Sequence, residues 1–317
     1  KIIATAEELF AAAEMIVKVK EPQSVERARL REGQVLFTYL HLAPDPEQTH
    51  DLLKSGVTAI AYETVTDDRG GLPLLAPMSE VAGRLAPQVG AWTLQKANGG
   101  RGVLLGGVPG VLPAKVLVIG GGVVGTHAAK LAAGIGADVA ARARSGTRLR
   151  YLDDVFGGQF KCAYSDAATT MDLARQADLI IGAVLIPGAA APKLISRAQL
   201  SELKPGAALV DVAIDQGGCF ETSHATTHQD PIYDVDGIMH YCVANMPGAV
   251  ARTSTLALGN ATMPFMLALA SEGWNRACAE DKHRLAGLNT HAGKLTYAAV
   301  GAALGLPTIS AADALNI

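Results

Sequence analysis

With 317 residues, of which 49% are hydrophobic, the chain is long enough for two domains with large cores. Its formal net charge of −3 gives no electrostatic footprint for nucleic acid, and its apolar runs are too short to cross a bilayer. Four cysteines without CxxC or zinc-ligand spacing are typical of free thiols. Together with the lack of a recognisable signal peptide, these features predict a cytoplasmic protein without nucleic-acid or membrane partners.

The first part of the chain alternates helix and strand patterns. Thr5, followed by two glutamates, predicts a helix N-cap with an acidic first turn. The predicted elements are a helix to about residue 13, strands at 15–19, 33–42 and 57–64, a helix at 44–55 and a long helix within 74–96. This alternation predicts a parallel sheet covered on both faces. Because residues 2–5 resemble the end of a strand, we expect the chain to begin inside a domain, with an N-terminal segment missing.

The segment 114–146, AKVLVIGGGVVGTHAAKLAAGIGADVAARARSG, has the pattern strand, Gly-rich turn, helix, strand. In this context Gly120 allows a tight turn, Gly122 lets a pyrophosphate approach the backbone, and Gly125 lets the helix pack closely on the strand. The helix N-terminus then offers free N–H groups and its dipole to the phosphates. A Gly-rich turn alone can be no more than a turn, but its flanking strand and helix predict a dinucleotide site.

The end of the second strand of this unit departs from the usual NAD site. An NAD site places Asp or Glu there to bind the ribose hydroxyls, whereas this chain has Arg142, Ala143 and Arg144. Loss of the carboxylate removes repulsion against a ribose 2′-phosphate, and two guanidinium groups offer it bidentate partners. The pattern predicts a preference for NADP(H). The alternative is a solvated basic loop in an NAD protein that lost one contact.

The remaining patterns complete a Rossmann sheet of six strands. Predicted elements are helices at 147–156, 167–177 and 196–203, strands at 160–164, 179–186, 207–214 and 240–244, and a helix at 254–270 that returns to the first domain. The predicted fold is therefore α/β, with two Rossmann-like doubly wound domains and a cleft between them. The first, discontinuous domain (1–75 and 253–317) would bind substrate, and residues 76–252 would bind the dinucleotide.

Open α/β sheets bind ligands beyond the carboxyl ends of their strands, and several candidate residues fall at such ends. They are Lys20, Glu21, Tyr39, His41 and Glu63 in the first domain, and Asp215, Asn245 and Met246 in the second. By contrast, the pair His224 and His228 has helical metal-ligand spacing but lies in a Ser/Thr-rich loop without a third ligand, so we expect no metal.

Three of these residues have side chains suited to chemistry on a carbonyl or imine. His41 can donate or accept a proton near neutral pH, Lys20 can polarise a carbonyl or pair with a carboxylate, and Asp215 can orient a polar group or stabilise an iminium. Each has a purely structural alternative: a hydrogen-bonded core histidine, a solvated strand end and an Asx-turn, respectively. Their predicted convergence at one set of strand ends favours the functional interpretation.

Long blocks of the sequence resemble bacterial alanine dehydrogenase. They include KVKEP (18–22), LFTYLHLA (36–43), AIAYETV (59–65), LPLLAPMSEVAGR (72–84), GGRGVLLGGVPGV (99–111), IDQGGCFE (214–221) and HYCVANMPGAVARTST (240–255). The resemblance covers essentially the whole chain, whereas the related nucleotide-binding domain of proton-pumping transhydrogenase matches it less well. It implies reversible, nicotinamide-linked oxidative deamination of L-alanine to pyruvate and ammonium by a homohexamer.

The resemblance also implies roles for particular residues. Lys20 matches the substrate-binding lysine, His41 the catalytic acid/base and Asp215 the second catalytic residue, while Tyr39 and Met78 would line the substrate pocket. The implied cofactor contacts, besides the three glycines and residues 142–144, are Ser79, Val123, Val124, Arg148, Ser165, Val184, Leu185, Val243, Asn245 and Met246.

Two departures from the family pattern qualify this implication. From the resemblance, we expect the family's N-terminal portion, with an arginine that clamps the substrate carboxylate, to be missing from this chain. Ala143 stands where the family has its ribose-binding Asp, and Arg142 stands where a leucine is usual. The alternatives are therefore a non-catalytic NADP(H)-binding module, or another amino-acid or imine reductase.

Overall fold

The computed structural model describes residues 1–184 and 191–317 and divides into two compact units, 1–77 with 255–317, and 78–254. The strands, in chain order, are β1 (Met15–Val17), β2 (Val35–Thr38), β3 (Thr58–Ala61), β4 (Lys115–Ile119), β5 (Asp138–Ala143), β6 (Lys161–Tyr164), β7 (Leu179–Gly182), β8 (Ala208–Asp211), β9 (Ile232–Val235), β10 (Ile238–Tyr241), β11 (Leu288–His291) and β12 (Lys294–Leu295). They form one sheet in each unit.

The helices cover these sheets and link the two units. In chain order they are α1 (Ala6–Ala12), α2 (Ser24–Arg27), α3 (Pro46–Ser55), α4 (Ala76–Thr93), α5 (Val123–Gly134), α6 (Gly146–Phe156), α7 (Ala167–Ala174), α8 (Ala251–Glu272), α9 (Trp274–Ala279), α10 (Lys282–Leu285), α11 (Ala298–Leu304) and α12 (Ala311–Leu315). The chain passes between the units inside α4 and α8. Within the described residues, the helices are too short or too polar to span a membrane.

The first unit contains a five-stranded sheet in the order β1-β2-β3-β11-β12. The strands β1, β2 and β3 are parallel, with Val35 of β2 opposite Thr58 of β3. All residues of β2 and β3 are buried, as expected for parallel strands with helices on both faces. The core contains Leu36 and Leu40 from the β2 region and Leu52 from α3, and these side chains are excluded from solvent. The carboxyl ends of β1, β2 and β3 consequently share one edge of the sheet.

The second unit contains a seven-stranded sheet in the order β6-β5-β4-β7-β8-β10-β9. Its first six strands are parallel and follow the order 3-2-1-4-5-6 of a Rossmann sheet when numbered from β4. The strand order reverses between β4 and β7, and ligands of such sheets bind in the crevice beyond that reversal. The predicted α/β class with two Rossmann-like sheets is confirmed.

The structure differs from the predicted elements at the edge strand of the second sheet, at a hairpin of the first sheet and at two 3₁₀ segments. The strand β9 pairs antiparallel with β10 at the sheet edge, and none of its residues is buried. The β11–β12 hairpin, which turns at Ala292 and Gly293, adds two antiparallel strands to the first sheet. The predicted helix at 196–203 is a short 3₁₀ helix at Ala198–Glu202, and β3 ends early in the 3₁₀ turn Tyr62–Thr64.

Candidate active site

At the carboxyl ends of β1 and β2, a carboxylate joins two of the predicted functional side chains. The Glu21 carboxylate lies 2.5 Å from Nδ1 of His41, through Oε1, and 3.1 Å from Nζ of Lys20, through Oε2. A carboxylate at Nδ1 fixes the ring orientation and favours the tautomer that carries its proton on Nδ1. The three side chains therefore form a connected acid–base group, and Glu21 orients the imidazole.

The protonation of Glu21 depends on the same contacts. Partial burial raises the pKa of Glu21, but the hydrogen bond to His41 and the charges of His41 and Lys20 outweigh burial and lower the pKa to about 2. The carboxylate is therefore ionised throughout the neutral range. It can stabilise positive charge on the imidazole when His41 accepts a proton.

A second carboxylate holds the backbone beneath the imidazole. His41 has a left-handed backbone with a φ of 47°, which costs a non-glycine residue on the order of 1–3 kcal/mol. Glu63, in the 3₁₀ turn after β3, accepts hydrogen bonds from the amides of Leu40 at 3.1 Å and His41 at 2.6 Å. These bonds stabilise the turn that directs the imidazole away from the strand. Residues that are 22 positions apart in sequence thus define one side chain's position.

Tyr39 supports His41 through its ring rather than through its hydroxyl. The Tyr39 ring stacks on His41 with centroids 5.7 Å apart and meets the edge of Tyr62 at 5.0 Å. Its hydroxyl donates a 2.6 Å hydrogen bond to the carbonyl of Leu74, and burial raises its pKa far above neutrality. The phenol is consequently a neutral, fixed neighbour of the imidazole. The sequence had assigned it to the pocket lining.

In the second unit, the Gly-rich turn between β4 and α5 has the geometry that its glycines predict. Gly120 has a φ of 127°, and an added Cβ there would lie 2.3 Å from the carbonyl oxygen of Ala183. A Cβ on Gly125 would lie 1.7 Å from the carbonyl oxygen of Gly120, so helix and strand approach closely. A Cβ on Gly122 would meet no atom within 4 Å.

The space above Gly122 adjoins the N-terminus of α5. Gly122 is the N-cap of α5 and supplies no capping side chain, so the first amides of the helix can donate to a ligand. Open space, free amide donors and the helix dipole together suit the pyrophosphate of a dinucleotide. Val123, in the first turn, is exposed.

Arg148 of α6 braces this turn. Its Nε donates to the carbonyl of Gly121 at 2.5 Å, its Nη2 donates to the hydroxyl of Thr126 at 2.7 Å, and its guanidinium lies 4.6 Å from the ring centroid of Tyr151. The arginine therefore fixes the backbone of the turn and adds positive charge beside it. Ala143 abuts the same turn, because a Cβ on Gly121 would lie 2.6 Å from its methyl group.

The two arginines flanking Ala143 have different environments. The side chain of Arg142 is fully buried, donates from Nη2 to the carbonyl of Tyr164 and lies 3.6 Å from Oδ2 of Asp166. Burial lowers the pKa of Arg142, with Asp166 opposing this effect. Arg144, by contrast, is exposed at the start of the loop into α6. The end of β5 accounts for the difference, because Arg142 lies within the strand whereas Arg144 follows its last residue, Ala143.

Asp215 lies in the 3₁₀ turn Ile214–Gln216 that follows β8. It is exposed, and its Oδ2 accepts a 3.3 Å hydrogen bond from the amide of Asn245. Asn245 follows β10 and has a left-handed φ of 57°. The structure thus brings together two residues from the ends of adjacent strands, as the sheet rule predicts.

A buried carboxylate that sequence reasoning missed organises the loop carrying Asp215. Asp211, the last residue of β8, accepts hydrogen bonds from the amides of Ala213 at 3.1 Å and Cys219 at 2.7 Å, and from the hydroxyl of Ser223 at 2.5 Å. Burial raises its pKa, and these hydrogen bonds counteract that effect. Asp211 therefore closes the loop at both ends. Its position at the end of β8 is the sequence feature that could have identified Asp211 as a candidate.

The other predicted contacts differ in exposure. Met78, Ser79, Val124, Ser165 and Val184 are half-buried, whereas Val243 and Met246 lie in the core of the second unit, and Leu185 lies outside the described residues. The ring of His224 stacks on Tyr233 with centroids 3.7 Å apart. In the described ranges, no three His, Cys, Asp or Glu side chains are grouped so as to hold a metal ion.

A Rossmann sheet with this turn defines a dinucleotide-binding α/β protein. The N-terminal domain of the alanine dehydrogenase/PNT family matches residues 1–82, and the C-terminal domain of that family matches residues 86–298. The chain belongs to this family and is a nicotinamide-dependent amino-acid dehydrogenase.

Individual relatives extend over nearly the whole chain. The alanine dehydrogenase of Halomonas elongata is 62% identical over 97% of this chain and 83% of that protein, and that of Mycolicibacterium smegmatis is 55% identical over 99% and 85%. A solved L-alanine dehydrogenase, 48% identical, superposes with a TM-score of 0.88 and covers 96% of this chain and 84% of that one. A transhydrogenase from Sinorhizobium meliloti, 24% identical over 92% of this chain and 84% of that one, shares the fold with a TM-score of 0.77.

The Gly-rich turn yields a matched pair of substitutions. We expect Gly125→Ala to lower the free energy of unfolding by about 3 kcal/mol, because the methyl group would overlap a backbone oxygen. Gly122→Ala should cost less than about 1 kcal/mol, since its φ of −72° suits alanine and the space is open, yet it should weaken NADH and NADPH binding. Urea denaturation and fluorescence titration measure the two effects. Equal stabilities of the variants, or unchanged affinity of Gly122→Ala, would contradict this assignment.

Because the pKa of Glu21 is lowered, part of the free energy of unfolding is lost at acidic pH. A carboxyl with a folded-state pKa near 2 and a usual value of 4.5 stabilises the fold above pH 4.5, and this contribution is lost as the pH falls towards 2. The stability difference between wild type and Glu21→Gln should therefore shrink by about 2–3 kcal/mol between pH 5 and pH 2. Denaturation at each pH tests this, with the exposed Glu14→Gln as the control. A pH-independent difference would refute the assignment.

Proposed function

We propose that this chain is an alanine dehydrogenase, which converts L-alanine, NAD(P)⁺ and water reversibly into pyruvate, ammonium, NAD(P)H and a proton. The observation that carries the proposal is the Glu21–His41 pair at the carboxyl ends of β1 and β2, with Lys20 on the same carboxylate. This group supplies a base, its orienting partner and a cation, which the deamination of an amino acid requires. The nearly full-length similarity to alanine dehydrogenases supports the choice of substrate.

The proposed mechanism assigns proton management to this chain and hydride transfer to the nicotinamide. Hydride-transfer chemistry at the Cα of alanine would be supplied by a nicotinamide cofactor bound at the Gly-rich turn, in either direction of the reaction. Lys20 binds the carboxylate or the developing carbonyl of the substrate. His41 removes a proton from the attacking water as the carbinolamine forms, and it transfers a proton when that species collapses to pyruvate and ammonium. Glu21 stabilises the imidazolium during both steps.

In the second unit, Asp215 and the Gly-rich turn have proposed roles of their own. Asp215, fixed by the Asn245 amide and by the loop that Asp211 closes, would stabilise the cationic iminium or orient the amino group that leaves the carbinolamine. The turn from Gly120 to Gly125 would bind the pyrophosphate, and the hydrogen bonds from Arg148 would stabilise that turn. Met78, Ser79, Val124, Ser165 and Val184 would contact substrate or cofactor through their partly exposed sides.

We propose further that the cofactor is NADP(H) in preference to NAD(H). Ala143 supplies no carboxylate for the ribose hydroxyls, and the exposed Arg144 beside it offers a guanidinium to a 2′-phosphate. Arg142 lies near the same end of β5, but its guanidinium is buried. The preference therefore rests first on Arg144 and on the absent carboxylate.

The proposed assembly is a homohexamer in the cytoplasm. Helix α8 exposes apolar side chains along its length, including Leu256, Met263 and Leu267, which suits burial against another copy. All four cysteines are free thiols, as suits a reducing compartment.

Replacement of His41 tests the catalytic assignment. Asparagine tolerates a left-handed backbone, so His41→Asn should retain the fold while lowering turnover of alanine and of pyruvate with ammonium by about 10²–10⁴-fold. Cofactor dissociation constants should change less than about twofold, a margin below 0.5 kcal/mol. The change in NAD(P)H absorbance measures turnover, and His50→Asn on the exposed side of α3 is the control.

Three results of this assay would count against the proposal. Undiminished turnover of His41→Asn would exclude its role as acid and base. Cofactor binding by the wild type without alanine-dependent turnover would favour a non-catalytic NADP(H)-binding module. Turnover only with other substrates of an amino-acid and imine panel would identify a different reductase.

Fluorescence titration at low salt tests the cofactor preference. NADPH should bind the wild type more tightly than NADH, and Arg144→Gln should reduce this preference about tenfold, because a charged hydrogen bond to phosphate is lost. The preference should also weaken as salt rises. Arg150→Gln removes an exposed charge from α6 and serves as the control. Tighter binding of NADH by the wild type would overturn the proposal.

A further inference from the structure

The guanidinium of Arg142 is buried with incomplete partners. Its Nη2 donates to the carbonyl of Tyr164, while Nε and Nη1 are buried without a hydrogen-bond partner in the part of the chain that the structure describes. A buried cation with unsatisfied donors is unfavourable, and a planar guanidinium fork matches the oxygens of a phosphate or carboxylate. Nε and Nη1 of Arg142 could therefore donate hydrogen bonds to a bound anion.

One acidic side chain stands beside this guanidinium. Oδ2 of Asp166 lies 3.6 Å from Nη2 of Arg142, which is close enough for an ion pair but too long for a hydrogen bond. The Asp166 side chain is 46% exposed, whereas that of Arg142 is wholly buried. The pair thus has a partly exposed anionic member and an interior cationic member.

Strand pairing places Asp166 at the proposed ribose end of the cofactor site. Arg142 of β5 lies opposite Ala163 of β6, and Ala143 lies opposite Tyr164. Residues 144 and 165–166, which follow these two strands, therefore begin at the same edge of the sheet. The amide of Ser165 donates a 3.0 Å hydrogen bond to the carbonyl of Ala143, and this bond connects the carboxyl ends of β5 and β6. A 2′-phosphate bound near residues 142–144 would therefore encounter the Asp166 carboxylate.

The carboxylate of Asp166 is held where it is by its own helix. As the N-cap of α7 it accepts a 2.8 Å hydrogen bond from the Thr169 amide through Oδ1 and a 2.7 Å bond from the Thr169 hydroxyl through Oδ2. These bonds, with the charge of Arg142, lower its pKa. The group is ionised at neutral pH and its position is fixed.

We propose that Asp166 determines cofactor specificity by occupying Arg142 and repelling a ribose 2′-phosphate, so that it limits selection of NADP(H) over NAD(H). This inference rests on the proposed cofactor site but assigns a new residue to it. Loss of the charge at 166 releases Arg142 for the phosphate and removes a like charge from its vicinity. Ala143 and Arg144 then act without opposition.

Asp166→Asn is a conservative test, because asparagine caps a helix as well as aspartate does. Isothermal calorimetry with adenosine 2′,5′-bisphosphate and with 5′-AMP isolates the 2′-phosphate, since the probes differ only in that group. Asp166→Asn should strengthen bisphosphate binding about three- to fivefold, the range of a partly exposed charge pair, and leave AMP binding within about twofold. Asp172→Asn removes an exposed charge from the same helix and should leave the ratio unchanged.

Further variants separate the mechanism from a change in folding. Asp166→Ser retains an N-cap and should give the same increase in the ratio if Asp166→Asn folds poorly. In an Arg142→Met background, Asp166→Asn should increase the bisphosphate-to-AMP affinity ratio less than it does in the wild type. The reason is that only the loss of charge repulsion remains there, since no Arg142 guanidinium can be released for the phosphate. An unchanged bisphosphate-to-AMP ratio in both folded Asp166 variants would overturn the proposal.

The failure of this proposal is distinguishable from failure of the cofactor proposal. If the wild type binds both probes equally and the Asp166 variants favour the bisphosphate, Asp166 has the inferred role but the NADP(H) preference of the wild type is wrong. If the wild type favours the bisphosphate and the variants do not change the ratio, the preference stands and the role of Asp166 is wrong.

Discussion

The close approach of backbone to backbone at the turn between β4 and α5 is the constraint on which the second unit depends. A Cβ on Gly120 would lie against the carbonyl of Ala183 beyond β7, and one on Gly125 against the carbonyl of Gly120. These contacts let the helix start directly above the reversal of strand order, where its N-terminus faces the crevice. Because Gly122 faces open space within the same turn, the tight packing and the ligand space are parts of one arrangement.

Within each unit, carboxylates organise the polar groups that have a proposed role. Glu21 orients the imidazole of His41, and Glu63 holds the left-handed backbone that carries it. Asp211 closes the loop that bears Asp215, and Asp166 stands beside Arg142. Each of these acids lies at an end of a regular element or follows one, where unpaired backbone amides and neighbouring strand ends provide partners. The proposed catalytic side chains are thus positioned by acids rather than by apolar packing alone.

Much of the fold could be predicted because its central parallel strands are largely apolar. The strands β4, β7 and β8 are buried on both faces, and continuous apolar runs identify them without tertiary information. The edge strand β9 and the β11–β12 hairpin escaped prediction, because edge strands need no apolar run and their pairing depends on partners distant in sequence. The 3₁₀ turns after β3 and β8 likewise continue apolar patterns without continuing the strands.

The sequence by itself determined the chemical types at the strand ends, the Gly-rich turn and the missing carboxylate at Ala143, because these are local properties of composition and spacing. Only the tertiary structure decided that Glu21 meets the imidazole, that Glu63 binds the His41 amide, and that Arg142 is buried while Arg144 is exposed. These outcomes depend on contacts between segments that are separated by other elements. They also depend on where β5 ends, since Arg142 lies within the strand and Arg144 lies beyond it. A pattern of residue types carries no information on which carboxylate will reach which nitrogen.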